Sequence, residues 1–187
     1  GAVSQELIAQ GFDHLLFTGG NTVGRKVYEG AAPHLTPVTL ELGGKSANVI
    51  FADADLEKAA ATAPYGVFDN AGQDCCARSR ILVQRSVFDR FMELFEPAVK
   101  GVKVGDPALD STEMGPLVSK SQFETVSSFL DGSAPVAFRG ECPTGPGFWF
   151  PATVLAPVDS TARVFQEEIF GPVVVVTPFE DEADAIR

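Results

Sequence analysis

Short runs of apolar residues, each closed by glycine, proline or charged residues, recur along the chain and predict buried strands. The run at 173–176 consists of four valines, and an unbroken β-branched run is typical of a central strand that is covered on both faces. Strands are predicted at 14–18, 38–42, 47–51, 80–84, 136–138, 153–155 and 173–176.

Helical patterns fill most of the intervals between these strands. Apolar residues recur on one face over 87–99, which predicts an amphipathic helix. Strands that alternate with helices predict an α/β fold, with a mostly parallel twisted sheet and helices on both faces. The other predicted helices lie at 4–10, from Asn21 or Thr22 to about Ala31, from Asp53 or Asp55 through the alanines towards Gly72, at 122–130 and from 183 onward.

The 187-residue chain has a formal net charge of −11, and such an acidic chain lacks the basic stripe that nucleic-acid binding needs. No apolar run approaches the roughly 20 residues of a membrane-spanning helix. No charged-then-apolar leader opens the sequence. We therefore expect neither nucleic acid nor a membrane as a partner.

The three cysteines, two of them adjacent, do not form the even, spaced set of a disulfide framework. No combination of cysteine and histidine has the spacing of a zinc site, so no metal is predicted. A reducing, cytoplasmic setting fits this cysteine usage best.

A cysteine pair follows a Gly-Gln turn at the predicted end of a helix. Gly72 and Gln73 precede Asp74, Cys75 and Cys76. A free cysteine is mostly protonated at neutral pH and is usually an inert small hydrophobe, so a catalytic thiol needs a base, a dipole or a cation nearby. In an extended chain Cys76 would face away from Cys75. An inward-pointing Asp74 would oppose formation of the thiolate.

Upstream, Glu41 lies inside an apolar strand that ends at Gly43 and Gly44. This segment alone allows two interpretations, a strand-end carboxylate that points to water or a partly buried general base. Partial burial would raise the pKa of such a carboxyl group towards neutrality. A thiol nucleophile and a separate carboxylate base suit acyl chemistry through a thioester.

Two further segments bear on ligand binding. Gly19 and Gly20 lie between a predicted strand and a predicted helix, where backbone N–H groups and the helix N-terminus can hold phosphate, although most such turns bind nothing. The letters EEIFGPV at 167–173 form a loop with a Gly-Pro turn, which by composition alone indicates surface acid and a core phenylalanine.

The order, spacing and flanking residues of these segments resemble the aldehyde dehydrogenase superfamily, in blocks at 17–45, 70–80, 105–118 and 167–173. The resemblance implies NAD or NADP as the cofactor and a small-molecule aldehyde as the substrate. It implies Cys75 as the nucleophile and Glu41 as the base that activates water for thioester hydrolysis. The cofactor-binding residues that it implies are Thr18, Gly19, Gly20, Val23, Leu42, Glu168 and Phe170.

The resemblance also implies that the chain is the catalytic part of a longer enzyme. Residues 1–41 correspond to a remnant of the dinucleotide-binding domain, and 42–187 to a catalytic domain truncated at its C-terminal end. The parent is expected to be a homo-oligomer, a dimer or tetramer. The chain alone is expected to be inactive, because the asparagine that completes the oxyanion hole and most of the cofactor domain lie outside it.

Several alternatives stay open. The first part of the chain resembles the fatty-aldehyde branch and the later part the betaine- or aminoaldehyde-type branches, so the aldehyde is not fixed. The choice of NAD or NADP is also open, because the resemblance implies that the residues which read the ribose 2′ position lie upstream of Gly1. Release of the acyl group to coenzyme A is a further outcome, against which Glu41 argues. A Cys–His hydrolase or acyl transferase would need His14 or His34, which are interpreted as packing or loop residues. A non-catalytic structural homologue would need no reactive Cys75.

Overall fold

The structure, a computed structural model, describes residues 2–187 and falls into two compact units, the first ending at Gly44 and the second comprising Lys45–Arg187. The first unit contains α1 (Ala2–Ile8), β1 (Leu15–Gly19), α2 (Asn21–Ala31) and β2 (Val38–Leu42). The second contains β3 (Ala47–Ile50), α3 (Leu56–Thr62), α4 (Tyr65–Phe68), β4 (Arg80–Gln84), α5 (Phe88–Lys100), α6 (Lys120–Ser127), β5 (Val136–Arg139), β6 (Thr153–Leu155), α7 (Arg163–Gln166), β7 (Val173–Phe179) and α8 (Glu182–Ile186).

The first unit is a strand–helix–strand crossover in which β1 and β2 pair in parallel through α2. The helix predicted from Asn21 or Thr22 begins at Asn21, and Gly20 is its N-cap. Gly24 of α2 faces Leu42 of β2 so closely that a Cβ at position 24 would lie 2.7 Å from the leucine Cδ2. The missing side chain at Gly24 therefore lets the helix pack tightly on the strand.

The second unit is built on a five-stranded sheet in the order β3-β4-β7-β6-β5. Every neighbouring pair is parallel except β5 with β6. This confirms the predicted mostly parallel α/β fold. All four valines of the 173–176 run have no exposed surface, and because successive residues of a strand point to opposite faces, both faces of the sheet are covered at β7.

Helix α5 supplies the aromatic part of the core. Phe91 and Phe95 are fully buried and stack with ring centroids 5.2 Å apart. Phe95 also meets the ring of Phe138 on β5 edge to face at 5.9 Å. These contacts attach the helix to the strand at the edge of the sheet, and the apolar face predicted over 87–99 is the face that is buried.

The helix predicted to run through the alanines towards Gly72 is wrong as a single element. It begins as expected, because the Asp55 side chain accepts a hydrogen bond from the Lys58 backbone N–H at 3.0 Å. It ends at Thr62, and Pro64, which has no N–H to continue the helical ladder, separates it from the four-residue α4. The short α7 was not predicted, since four residues are too few for a periodic pattern.

Within residues 2–187, no helix combines the length and the hydropathy that crossing a membrane requires.

Candidate active site

The backbone just before the cysteine pair adopts a left-handed conformation. Asn70, Ala71 and Gly72 have φ values of 50°, 55° and 68°, three consecutive left-handed residues that stop the preceding helical turn. Cys75 therefore follows a strained loop and not a helix end. Within this loop Ala71 and Gly72 are buried, while Cys75, which follows it, is exposed.

The two cysteines lie in a tight turn and not in extended chain. The Ala77 N–H donates to the Asp74 carbonyl oxygen at 3.1 Å, and the Cys76 N–H donates to Asp74 Oδ1 at 3.0 Å. The turn brings the Sγ atoms of Cys75 and Cys76 to 3.8 Å from each other. The expectation that Cys76 faces away from Cys75 is therefore wrong, because alternation of side chains holds only in extended backbone.

The surroundings of Cys75 disfavour its thiolate. The hydrogen-bonded thiol of Cys76 raises the pKa of Cys75 first, and the negative charge of Asp74 raises that pKa further. The expected opposition of Asp74 to thiolate formation is thus borne out in direction. Both neighbours therefore raise the pKa of Cys75 above that of an ordinary thiol.

The variant Asp74→Asn is expected to lower the pKa of Cys75 and to speed its alkylation by iodoacetamide at neutral pH. Removal of one negative charge near the exposed sulfur should accelerate the reaction by about two- to five-fold. The measurement is the rate of Cys75 adduct formation, followed by peptide mass spectrometry from pH 6 to 10. Cys142, remote in sequence, serves as the internal control. If the alkylation rate of Cys75 rises with the same pH midpoint in Asp74→Asn and in the unaltered protein, this electrostatic role of Asp74 is refuted.

A second loop lies directly behind the cysteine loop. A Cβ atom added at Gly72 would lie 2.5 Å from the carbonyl carbon of Gly171, closer still to its oxygen and 3.0 Å from Pro172 N. The two backbones are therefore in direct contact. The structure thus brings the loop that carries Cys75 against the loop that carries Glu168 and Phe170.

Two glutamine side chains tie these loops to the segment around α6. Gln73 Oε1 accepts from the Val118 N–H at 2.9 Å. Gln122 Nε2 donates to the carbonyl oxygens of Phe170 at 2.8 Å and Ile169 at 3.3 Å. Phe170 has a φ of 55° and its ring is 38% exposed, so the bonds from Gln122 stabilise a left-handed backbone that presents an aromatic side chain to solvent.

Lys45 places an ammonium group beside the second loop. Burial lowers the pKa of Lys45 to about 8, repulsion from Arg80 lowers it as well, and the charge of Glu168 opposes both. The Lys45 Nζ atom is buried and has no hydrogen-bond partner among residues 2–187. The partly buried Glu168 therefore has the ammonium group of Lys45 near it. That group makes no hydrogen bond within residues 2–187.

The other predicted site residues lie in the first unit. Glu41 is exposed, on the same side of β2 as the exposed Thr39, so of its two interpretations the structure agrees with the carboxylate that points to water. The strand alternates, and its half-buried positions are Val38, Leu40 and Leu42. The turn between β1 and α2 leaves four of the predicted cofactor residues around one helix N-terminus, namely Thr18, Gly19, Gly20 and Val23.

Both histidines also belong to the first unit. His14 Nε2 is 2.9 Å from Thr39 Oγ1. The ring of His34 lies against Gly11, with Nδ1 3.7 Å from the position of a Cβ at that glycine. Each histidine thus has a local structural contact, as the interpretation of these residues as packing or loop groups expected.

Sequence reasoning missed Lys45, Gln73 and Gln122 as parts of the site. Lys45 and Gln73 stood inside recognised motifs, but their partners lie far along the chain. Gln122 lies in the first turn of α6. Its position is a weak indication that its side chain could bond to a neighbouring segment.

Comparison with known proteins decides the family. The sequence model of the aldehyde dehydrogenase family matches residues 2–187 of this chain. The chain belongs to the aldehyde dehydrogenase family. It is 43% identical over 180 residues to an aldehyde dehydrogenase of Emericella nidulans and 44% identical over 180 residues to one of Aspergillus niger. Each alignment covers 94% of this chain and 36% of the relative, so the chain spans about a third of the length of these relatives.

Solved structures of this family share the fold of the chain. A betaine aldehyde dehydrogenase of Staphylococcus aureus in complex with NAD⁺ is 39% identical and superposes with a TM-score of 0.92, over 98% of this chain and 38% of that one. Aldehyde dehydrogenase C of Pseudomonas syringae, crystallised with NAD⁺ and octanal, is 32% identical with a TM-score of 0.92, over 98% of this chain and 40% of that one.

Proposed function

We propose that this chain is the catalytic part of an aldehyde dehydrogenase that oxidises an aldehyde to a carboxylic acid with NAD or NADP. The observation that carries the proposal is the backbone contact between Gly72 and Gly171, which joins the loop of an exposed Cys75 to the loop of Glu168 and Phe170. The NAD⁺ complexes of the Staphylococcus aureus and Pseudomonas syringae relatives, the latter with octanal, support the cofactor and the substrate class.

In the first half of the reaction, the Cys75 sulfur attacks the aldehyde carbonyl carbon. A carbon–sulfur bond forms, the thiol proton leaves, and the carbonyl oxygen becomes the oxyanion of a thiohemiacetal. The Cys75 backbone N–H donates to this oxyanion, with an asparagine from outside the chain as the second donor. A bound NAD or NADP would supply the acceptor for the hydride that leaves this carbon, and Cys75 would then carry a thioester.

In the second half, Glu41 takes a proton from a water molecule, and that water attacks the thioester carbon. The carbon–sulfur bond breaks, the acid leaves and the Cys75 sulfur recovers a proton. The exposed position of Glu41 on β2 supports this role, because the base must reach solvent water in each turnover.

The residues of the chain fit a dinucleotide. In the first unit, apart from Gly20 and its two chain neighbours, no atom of residues 2–187 lies within 4 Å of the Cβ position of Gly20, so a ligand oxygen can approach the backbone at the start of α2. Val23, on the first turn of that helix, is 51% exposed and offers an apolar surface. Leu42 of β2 packs against Gly24, one helical turn beyond this N-terminus.

In the second unit, Glu168 and Phe170 would hold the ribose and the nicotinamide. A carboxylate can accept hydrogen bonds from both ribose hydroxyls, and the exposed Phe170 ring can lie against a flat heterocycle. The ammonium group of Lys45 lies close enough to Glu168 for the two charges to interact, so a cation stands beside the carboxylate that would hold the ribose.

The wider assignment follows the same proposal. Residues 1–41 are the end of a dinucleotide-binding domain and 42–187 the larger part of a catalytic domain, in a cytoplasmic dimer or tetramer. The chain by itself is inactive in this proposal, because a cofactor held at one end only does not keep the reacting atoms within the roughly 3–3.5 Å that hydride transfer needs. Multiple turnovers by the purified 187-residue chain would contradict it.

The experiment that tests the proposal is an assay of the whole protein that carries this chain, with a panel of aldehydes and with NAD or NADP. The variants Glu168→Ala and Phe170→Ala are expected to raise the cofactor KM or slow hydride transfer by about 5- to 150-fold, the equivalent of roughly 1–3 kcal/mol. Their rates of Cys75 alkylation should stay close to that of the unaltered protein.

The matched control is Glu167→Ala, which removes an exposed acid of the same loop that pairs with Arg163 at 3.0 Å. This variant is expected to keep the cofactor KM. An inactive whole protein, or cofactor kinetics that change as much in Glu167→Ala as in Glu168→Ala, would overturn the proposal.

A further inference from the structure

The turn at the nucleophile gathers three groups that bind soft metal ions. The Sγ atoms of Cys75 and Cys76 are 3.8 Å apart, and one carboxylate oxygen of Asp74 lies within 4.8 Å of both. All three residues are exposed, so an ion in solution has access to them.

The spacing of the two sulfur atoms matches a zinc–thiolate centre. In a tetrahedral site with Zn–S bonds of about 2.3 Å, neighbouring sulfur atoms are separated by about 3.8 Å. A carboxylate oxygen completes a set of three protein ligands, and the fourth position is left for water, as in open zinc sites. Hard cations such as Mg²⁺ and Ca²⁺ prefer sites made of oxygen ligands, so two thiolates select against them.

We propose that Asp74, Cys75 and Cys76 form a binding site for a thiophilic divalent cation such as Zn²⁺ or Cd²⁺. Each thiol releases its proton to solvent as its metal–sulfur bond forms, and the Asp74 carboxylate binds without loss of a proton. The turn brings the three ligand groups together. Three adjacent residues do not have the sequence spacing of known zinc sites, so the sequence alone did not predict this site.

The ion in this site is an inhibitor and not a resident cofactor. A sulfur atom bound to the ion cannot attack an aldehyde, so occupancy of the site removes the Cys75 nucleophile. This consequence rests on the proposed function of Cys75, whereas the binding of the ion does not.

The test is a titration of the whole protein with Cd²⁺ alone, in the presence of a reductant that contains no thiol. Sulfur-to-cadmium charge-transfer absorption should appear and saturate at one ion per chain. The variants Cys75→Ser and Cys76→Ser are each expected to weaken binding by more than about 100-fold, because even the outer partners of metal ligands contribute 10- to 100-fold. Asp74→Asn should weaken it by about tenfold.

The matched control is Cys142→Ser, which removes the third thiol from the loop between β5 and β6 and should leave the titration unchanged. Absorption that survives in Cys76→Ser, or that disappears in Cys142→Ser, overturns the proposal. An active enzyme that binds no Cd²⁺ also overturns it. A protein that binds Cd²⁺ through these residues but oxidises no aldehyde supports this site and refutes the proposed function instead.

Discussion

Glu41→Gln in the whole protein is expected to lower steady-state turnover by roughly 10²- to 10⁴-fold, the usual contribution of a general base. The first turnover should still release a burst of reduced cofactor. The reason is the order of events in the proposed mechanism, in which Glu41 acts on the water that attacks the thioester, after the hydride has left. The thioester should therefore accumulate on Cys75.

Stopped-flow absorbance of the reduced cofactor measures the burst and the steady rate in one trace, and mass spectrometry of the quenched enzyme detects the acylated peptide. Glu29→Gln, an exposed acid of α2 in the same unit, is the matched control and should leave both phases unchanged. Loss of the burst in Glu41→Gln, together with normal hydrolysis of a preformed thioester, would place Glu41 in another step.

Gly72→Ala is expected to destabilise the fold by about 2–5 kcal/mol. Part of this loss, roughly 1–2 kcal/mol, comes from placing a Cβ on a left-handed residue, since φ at Gly72 is 68°. The larger part comes from the collision with the Gly171 backbone, because overpacking of a rigid neighbour costs typically 1–3 kcal/mol. A backbone cannot move aside as a flexible side chain can.

Urea denaturation of both proteins measures this loss as a change in the free energy of unfolding. Gly132→Ala is the matched control, because Gly132 also has a positive φ, 88°, but no atom of residues 2–187 lies within 4 Å of its Cβ position. That variant should lose only the conformational part. Equal losses in the two variants would show that the contact between Gly72 and Gly171 has no energetic weight.

The sheet was predictable because its signal is local. The valines of β7 and the short apolar runs of β3 and β4 each predict a buried strand from a few neighbouring residues. The alternation of these strands with helices then predicts a mostly parallel sheet. The chemical residues were recognisable for a different reason. Their types and flanking residues resemble a known family, which assigns roles that no pattern of hydrophobicity carries.

The geometry around Cys75 was not predictable in the same way. Gly72 permits a left-handed conformation and Asn70 tolerates one, but Ala71 adopts φ of 55° because the buried loop requires it, and nothing in its identity indicates this. The facing thiols depend on hydrogen bonds to Asp74 that replace extended backbone by a turn. The alternation of side chains that holds for an extended strand predicts that Cys76 points away from Cys75, which is wrong in this turn.

The contacts between loops were equally beyond the sequence. Val118 and Gln73, or Phe170 and Gln122, are joined by single hydrogen bonds between distant segments. Many polar residues could make such bonds, so the pairing is specified by the folded backbone alone.

The contact between the Gly72 and Gly171 backbones also sets a rule for recombination within the family. Two loops whose main chains touch must match each other in shape, although they are far apart in the sequence. A crossover between them brings together halves from different parents, and we expect the hybrid to keep Cys75 in place only when both parents have the same spacing of main chains at this contact. Libraries of shuffled genes should therefore yield active hybrids chiefly when both loops descend from one parent.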